Sequence, residues 1–356
     1  MDGVCFIVPS PVLVRMIEEG PPEVRTSAVR TLAISERVRE RRAITRRLVQ
    51  HEPQASVALL LPQVGGRRTV YDVHNGSQGD LPGVKVRGEG EPAAADAAVN
   101  QAYDGAGTTY DFYQSVFNRN SVDGQGLELV SSVHFENNYD NAFWNGGQMV
   151  YGDGDGQMFK RGGFTESLDV MAHELTHGVT QFTAGLRYRV QSGALNESFS
   201  DVFGSLVKQR SLGQTAAQAD WLIGDGIMGP QLPGPALRSL KAPGTAFKLD
   251  NQPAHMDHYA QLADDGDPSH DHGGVHVNSG IPNHAFYLAA TGIGGNAWEK
   301  AGAIWYTTLT KRLNENSDFQ GAADATVAVS GELFGTGGAE EQAVRAAWQQ
   351  VGITPA

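Results

Sequence analysis

Leu168, Met171, Ala172, Leu175, Val179 and Phe182 recur at helical spacing, and the pentapeptide His173-Glu-Leu-Thr-His177 lies inside that pattern. A helix sets His173 and His177 one turn apart on one face, where two imidazoles can grip a single Zn²⁺, and leaves Glu174 beside the metal instead of on it. Such a site needs a third ligand from another element and an open fourth position for water. Twenty residues beyond His177, Asn196-Glu-Ser-Phe-Ser-Asp201 supplies one: Glu197 sits in a second apolar-periodic helix carrying Leu195, Phe199, Val202, Phe203 and Leu206. Asp201, one turn further on, is placed to accept the remaining N–H of a ligating imidazole and fix its tautomer. Taken singly, the His pair reads as a salt-bridged surface pair and Glu197 as a solvated helix residue; the joint spacing favours the metal.

Cys5 is the sole cysteine, so intrachain disulfides and thiolate metal clusters are excluded and any metal sits on His and carboxylates. The net charge of −13 argues against nucleic acid as a partner. No run of 18 apolar residues appears, which predicts no membrane span. The first residues, MDGVCFIVPSPVLVRMIEEG, lack the basic start of a Sec signal, so the compartment stays open between cytoplasm and export.

Residues 1–50 hold nine Arg and six acidic residues, net +3 against −16 for the rest. Val24, Ala28, Leu32 and Val38 give this segment a helical reading that opens at Pro21-Pro22 and runs into the Arg-rich ERVRERRAITRR of 36–47, read as a flexible or cleavable link with processing somewhere in 40–66. From 67 to 166, RTVYDVHN, VKVRG, LELVSSVHF and GQMVYGDGDG read as strands and turns, with one helical patch at 109–117. From 167 to 356 the pattern is helical, with further helices near 196–210, 279–292, 297–313, 318–332 and 339–350. Asp153 and Asp155 are read as a polar turn, and Thr291-Gly-Ile-Gly-Gly-Asn296 as an inter-helix turn without the Lys-Ser/Thr of a P-loop.

The two zinc motifs, with Asn141-Ala-Phe-Trp144, Gly185-Leu-Arg-Tyr188 and Gly273-Gly-Val-His-Val-Asn-Ser-Gly280 in order, resemble the thermolysin family of zinc metallopeptidases over roughly residues 67–356. The segment from Cys5-Phe-Ile-Val-Pro onward resembles the compact propeptide of the protealysin-like branch. The resemblance implies an α+β, two-domain fold: a β-rich N-terminal domain, a mostly helical C-terminal domain, zinc in the cleft between them and a small helical propeptide. It implies His173, His177 and Glu197 as ligands, Glu174 as general base, and Tyr188 and His276 as donors to the oxyanion. Asp271 would orient His276, while Asp201 and Asn196 would support His173 and His177. Arg238, Asn141 and the backbone of Ala142 would hold the peptide, with Val170 and Leu237 on the pocket wall. The implied function is neutral endopeptide hydrolysis on the amino side of bulky apolar residues, by a secreted, monomeric enzyme made as a self-processing zymogen. Its partners would be protein or peptide substrates and its own propeptide as inhibitor.

Calcium-rich family members place acidic ligands where this chain has Lys208 and Leu222, so a double calcium site is in doubt. A lysine ammonium beside Asp169, Asp220 and Asp225 is the substitute expected. Cys5 offers a soft ligand for the open zinc position or, in the plainer reading, a small buried hydrophobe. The alternatives are a zinc exopeptidase with the same ligands and a non-catalytic metal binder using the His-rich loop 255–272, itself read first as a solvated loop.

Overall fold

The computed structural model describes residues 4–49 and 67–356, and for 42–49 the backbone alone. In chain order the elements are β1 (Cys5–Phe6), α1 (Ser10–Glu19), α2 (Pro22–Val49), β2 (Arg68–Asp72), β3 (Val84–Gly88), α3 (Ala97–Phe117), β4 (Leu129–Val133), β5 (Ala142–Trp144), β6 (Met149–Tyr151), α4 (Gly163–Glu166), α5 (Leu168–Gln181) and α6 (Val190–Leu212). Then follow β7 (Leu222–Ile223), β8 (Arg238–Ser239), α7 (Asp271–Asn278), α8 (Gly280–Ile293), α9 (Lys300–Lys311), α10 (Phe319–Phe334) and α11 (Ala339–Gln350).

Six strands form one mixed sheet in the order β1-β5-β6-β4-β2-β3. β4 is parallel to β2 and to β6, and the remaining pairs are antiparallel. One edge of the sheet is thus supplied by residues 5 and 6, laid against β5 with Cys5 opposite Trp144 and Phe6 opposite Phe143. The helical region follows, with β7 and β8 as a separate small ribbon.

α5 is buried from Asp169 to Thr180 and α6 from Gly193 to Gln209. Helices covered on every side belong at the centre of a helical body. They can approach closely because α6 carries Gly204 where they cross: a Cβ there would stand 2.6 Å from the Asp169 carbonyl oxygen. Polar side chains on these helices are therefore enclosed together.

Several elements depart from the sequence expectation. α3 spans 97–117, of which the patch 109–117 is only the end. Gly105 and Gly107 interrupt its apolar periodicity; a Cβ on Gly105 would lie 2.0 Å from the Met171 side chain, so its absence is what lets α3 pack on α5. α6 begins at Val190, six residues before the expected start. At the N-terminus, Pro9 and Pro11 open a helix that the apolar pattern did not disclose, Pro9 standing at the cap and Pro11 in the first turn, where a missing N–H costs nothing.

The Arg-rich stretch read as a flexible link is helical through Val49. From Glu23 to Val49 there is no Gly or Pro, and Arg and Glu are good helix formers, so nothing local stops the helix. The part of the expected processing region in 50–66 lies outside the described residues. One face of α2 buries Val24, Ala28, Ile34 and Val38. The same face presents hydroxyls at i, i+4 and i+8: Ser27 donates to Asp140 Oδ2 (2.7 Å), Thr31 accepts from the Asp140 N–H (3.2 Å), and Ser35 bonds the Tyr139 hydroxyl (2.8 Å). Among the described residues no helix is long and apolar enough to cross a membrane.

Candidate metal centre and substrate cleft

His173 and His177 project from α5 with their Nε2 atoms 3.0 Å apart. Glu197 on α6 faces both, Oε2 lying 3.4 Å from His173 Nε2 and Oε1 3.5 Å from His177 Nε2. The Nδ1 atoms are engaged from behind: Asp201 Oδ1 at 2.8 Å from His173, and Asn196 Oδ1 at 2.9 Å and Ser200 Oγ at 3.0 Å from His177. Each Nε2 is thereby turned toward the common point. Asp201 also takes a forked contact from Arg238 (2.9 Å) and a bond from Asn283 Nδ2 (2.9 Å).

Among the described residues, two buried carboxylate oxygens have no hydrogen-bond partner, and both lie here: Glu197 Oε2, facing the imidazole pair, and Glu174 Oε1. Leaving a carboxylate oxygen unpaired in a buried site is costly. Two imidazoles and a carboxylate aimed at one point, with an oxygen to spare, fit a tetrahedral zinc. His173, Glu174 and His177 form one group whose ligand atoms lie within 4.8 Å of one another, and Cys5, His177 and Glu197 form a second. Glu174 Oε2 accepts the Trp144 N–H at 2.9 Å, and burial pushes this carboxyl up to about 8.

Tyr188, at the end of the loop preceding α6, donates its hydroxyl hydrogen to Glu197, and that hydroxyl lies 3.1 Å from His276 Nε2. His276 on α7 is held through Nδ1 by Asp271 Oδ1 at 2.6 Å. Burial works against its charge, but Glu197 and Asp271 outweigh burial and raise its pKa above the ordinary value. Val170 is fully buried on α5, and Leu237 lines a small cavity with Pro11, Val12, His276 and Val277.

The cleft holds the chain's own N-terminus. Phe6 O lies 3.0 Å from His276 Nε2, Ile7 N–H donates to Ala142 O (3.2 Å), and Ile7 O accepts from Arg238 Nη1 (3.0 Å). Val8 is held at both ends by one amide, its N–H donating to Asn141 Oδ1 (2.9 Å) and its O accepting from Asn141 Nδ2 (3.1 Å). Cys5 is buried against Tyr188 and Val275.

A second cluster lies further along the same helices. Lys208 Nζ on α6 stands 2.6 Å from Asp225 Oδ1, 3.0 Å from Asp220 Oδ2 and 3.3 Å from Asp169 Oδ2, with the Leu222 carbonyl at 3.4 Å. Burial opposes its charge, yet Asp169 and its neighbours more than offset that and raise the ammonium's pKa. Among the described residues, no metal-like group falls in the loop 255–272. His255 there accepts the Asp257 N–H, and His270 pairs with Asp265.

The zinc-motif residues and the segments around Tyr188, Arg238 and His276 come together as one site. Residues the sequence reading missed are Asn283 and Ser200, which brace Asp201 and His177, and the Trp144 N–H on Glu174. A lone Asn in α8 and a backbone amide carry no sequence signal of their own, although Trp144 and Ser200 both lie inside motifs that the sequence singles out.

Comparison with known proteins bears on both halves of the chain. The thermolysin metallopeptidase catalytic-domain family matches residues 63–181 and the thermolysin metallopeptidase alpha-helical domain matches 184–353. The chain is 46% identical to an extracellular metalloprotease of Pectobacterium carotovorum subsp. carotovorum, over 98% of this chain and 96% of that protein. It is 48% identical to protease PrtS of Photorhabdus sp. (strain Az29), over 80% and 76% respectively. Among solved structures, the precursor of protealysin, a metalloproteinase from Serratia proteamaculans, superposes with a TM-score of 0.84 at 47% identity, covering 98% of this chain and all of that one. With both family domains matched in sequence order and their motifs converging on one cleft, the chain belongs to the thermolysin family of zinc-dependent metallopeptidases.

Proposed function

We propose that this metalloprotease is an endopeptidase made as a self-processing precursor, with His173, His177 and Glu197 as zinc ligands and Glu174 as the proton carrier. The observation that carries this is the pair of buried carboxylate oxygens that make no hydrogen bond, Glu197 Oε2 and Glu174 Oε1, beside two imidazoles already oriented from behind. Held by His173, His177 and Glu197, zinc would supply Lewis-acid polarisation of the carbonyl and a lowered pKa for water. Glu174, anchored through its other oxygen by the Trp144 N–H, takes the proton from that water and returns it to the leaving amine. Tyr188 and His276 donate to the carbonyl oxygen as its charge develops, His276 being oriented by Asp271. Asn141, Ala142 and Arg238 hold the peptide as an added strand.

An endopeptidase is favoured over an exopeptidase because the cleft takes a chain that continues in both directions: residues lie on either side of the Phe6 carbonyl, and α1 follows beyond Pro9. Residues 4–49 act as the inhibitor of the precursor, covering the site. Cys5, whose sulfur lies near the ligand atoms of His177 and Glu197, would offer zinc a soft ligand in that state. Substrates are cut before bulky apolar residues, with Leu237 and Val170 in the pocket wall. Lys208 takes the place of a calcium ion.

Glu174→Gln tests the assignment. The variant should keep one zinc per chain, lose casein hydrolysis by about 10³-fold or more and remain uncut at its N-terminus. Near-normal turnover with zinc bound would refute it.

A further inference from the structure

The N-terminal strand does more than cover the cleft: its contacts fix which peptide bond lies at the reacting position. An oxyanion donor identifies the carbonyl under attack, since it must touch the oxygen on which charge develops. The carbonyl on His276 Nε2 is that of Phe6, at 3.0 Å. The next residue toward the C-terminus donates its N–H to Ala142 and has its carbonyl clamped by Arg238; the one after is held at both backbone ends by Asn141. The strand Cys5–Phe6 therefore runs antiparallel to β5, and the contacts continue in sequence order with the Ile7 N–H on the Ala142 carbonyl and Val8 on the Asn141 side chain. Ile7 is fully buried, so a branched aliphatic side chain fills the space directly beyond the reacting carbonyl; Phe6 is equally buried, but in part by Ile34, Val38 and Arg39 of α2.

We propose that residues 5–8 lie in the direction and register of a substrate, with Phe6–Ile7 as the bond aligned for hydrolysis, so that the inhibitory segment is a latent substrate and reports the sequence class the site accepts. This rests on the reading of the cleft as the peptidase centre. That class is an extended peptide with a β-branched aliphatic residue after the cut and a further aliphatic residue next. Cys5 stands immediately before Phe6 and near the ligand atoms of His177 and Glu197, where its sulfur competes with the water that hydrolysis consumes. In the hydrolysis, that water's oxygen bonds to the Phe6 carbonyl carbon, the Phe6 C–Ile7 N bond breaks and a proton passes to the Ile7 nitrogen, giving a new carboxylate and a new amine.

The full-length chain tests this in three arms, read by mass spectrometry of the N-termini. Cys5→Ala should release residues 1–6 and expose Ile7 as a new N-terminus at least tenfold faster than the wild type, and Cys5→Ala combined with Glu174→Gln should not. A synthetic peptide of residues 3–12 carrying Cys5→Ser, given to the self-processed wild type, should be cut at the same Phe–Ile bond, and this arm does not depend on folding of the Cys5→Ala chain. In the uncut Glu174→Gln chain, hydrogen exchange should find the Ile7 and Val8 amides protected. Casein hydrolysis by the wild type is scored in parallel: its absence would sink the peptidase reading itself. Casein hydrolysis together with an intact Phe6–Ile7 bond in the peptide, a cut at any other bond in 4–9, or unprotected Ile7 and Val8 amides would overturn the register.

Discussion

The helix pair α5 and α6 encloses two clusters of charge with opposite outcomes. Around His173, His177 and Glu197, the polar atoms are braced from behind by Asp201, Asn196 and Ser200, while a carboxylate oxygen faces inward with no partner. Eleven residues along α6, about three turns, Lys208 reaches into Asp169, Asp220 and Asp225, and both Asp169 oxygens are taken, by Ser167 and the Val170 N–H on one side and by Lys208 and the Gly224 N–H on the other. One cluster keeps a buried carboxylate oxygen without a hydrogen bond; the other pairs its carboxylates with a lysine. Shared scaffolding therefore says little about metal content; the difference lies in which carboxylates already have a cationic partner.

The contrast breaks most severely at Glu197. Glu197→Ala removes one of three proposed ligands, and the chain should leave dialysis with little zinc and at least a thousandfold less activity. Full zinc occupancy, measured by elemental analysis, would mean that the ligand set is misassigned.

Lys208 sharpens the comparison from the other side. Lys208→Met leaves Asp169 buried beside two acidic neighbours and should cost about 3 kcal/mol of stability, judged by denaturant titration. Lys208→Glu turns the cluster into four carboxylates, so its Tm should fall in calcium-free buffer and recover with millimolar calcium, while the wild type shifts little. A wild-type chain stabilised by calcium as strongly as Lys208→Glu would erase the distinction.

A smaller effect belongs to the docking of α2. Burial, followed by the nearby Asp155 carboxylate, raises Asp140 to about 7; Ser27 donates to it and its own N–H meets Thr31. Uncovered, the group should return toward the ordinary value near 4. The covered state then holds more protons between these values, so its advantage is fully present below about pH 4 and lost as pH rises through about 7. In the Glu174→Gln chain, α2 amide protection relative to the sheet should fall by up to about a hundredfold from pH 5 to 8. In the same chain carrying Asp140→Asn it should stay flat, and an unchanged slope in that variant would assign the effect elsewhere.

How far the sequence led depended on where a signal could reside. The helix pair was legible because His173-Glu-Leu-Thr-His177 and Glu197 sit within apolar periodicity, which reports burial directly. Lys208 was legible only through the family resemblance, as a lysine standing where calcium-rich members carry an acidic ligand. The strand Cys5–Phe6 was not: two residues have no period, and their partner lies more than 130 residues away in β5. α1 was hidden by Pro9 and Pro11, which read as breakers until their place at the helix start is known. The bracing by Asn283 and the Trp144 N–H depends on tertiary approach alone.

The most direct measurement is a metal count on the wild-type chain, dialysed exhaustively against calcium-containing and then metal-free buffer, alongside its casein hydrolysis. The account predicts one zinc and no retained calcium in an active protein. Stoichiometric calcium, or full activity without zinc, would contradict it.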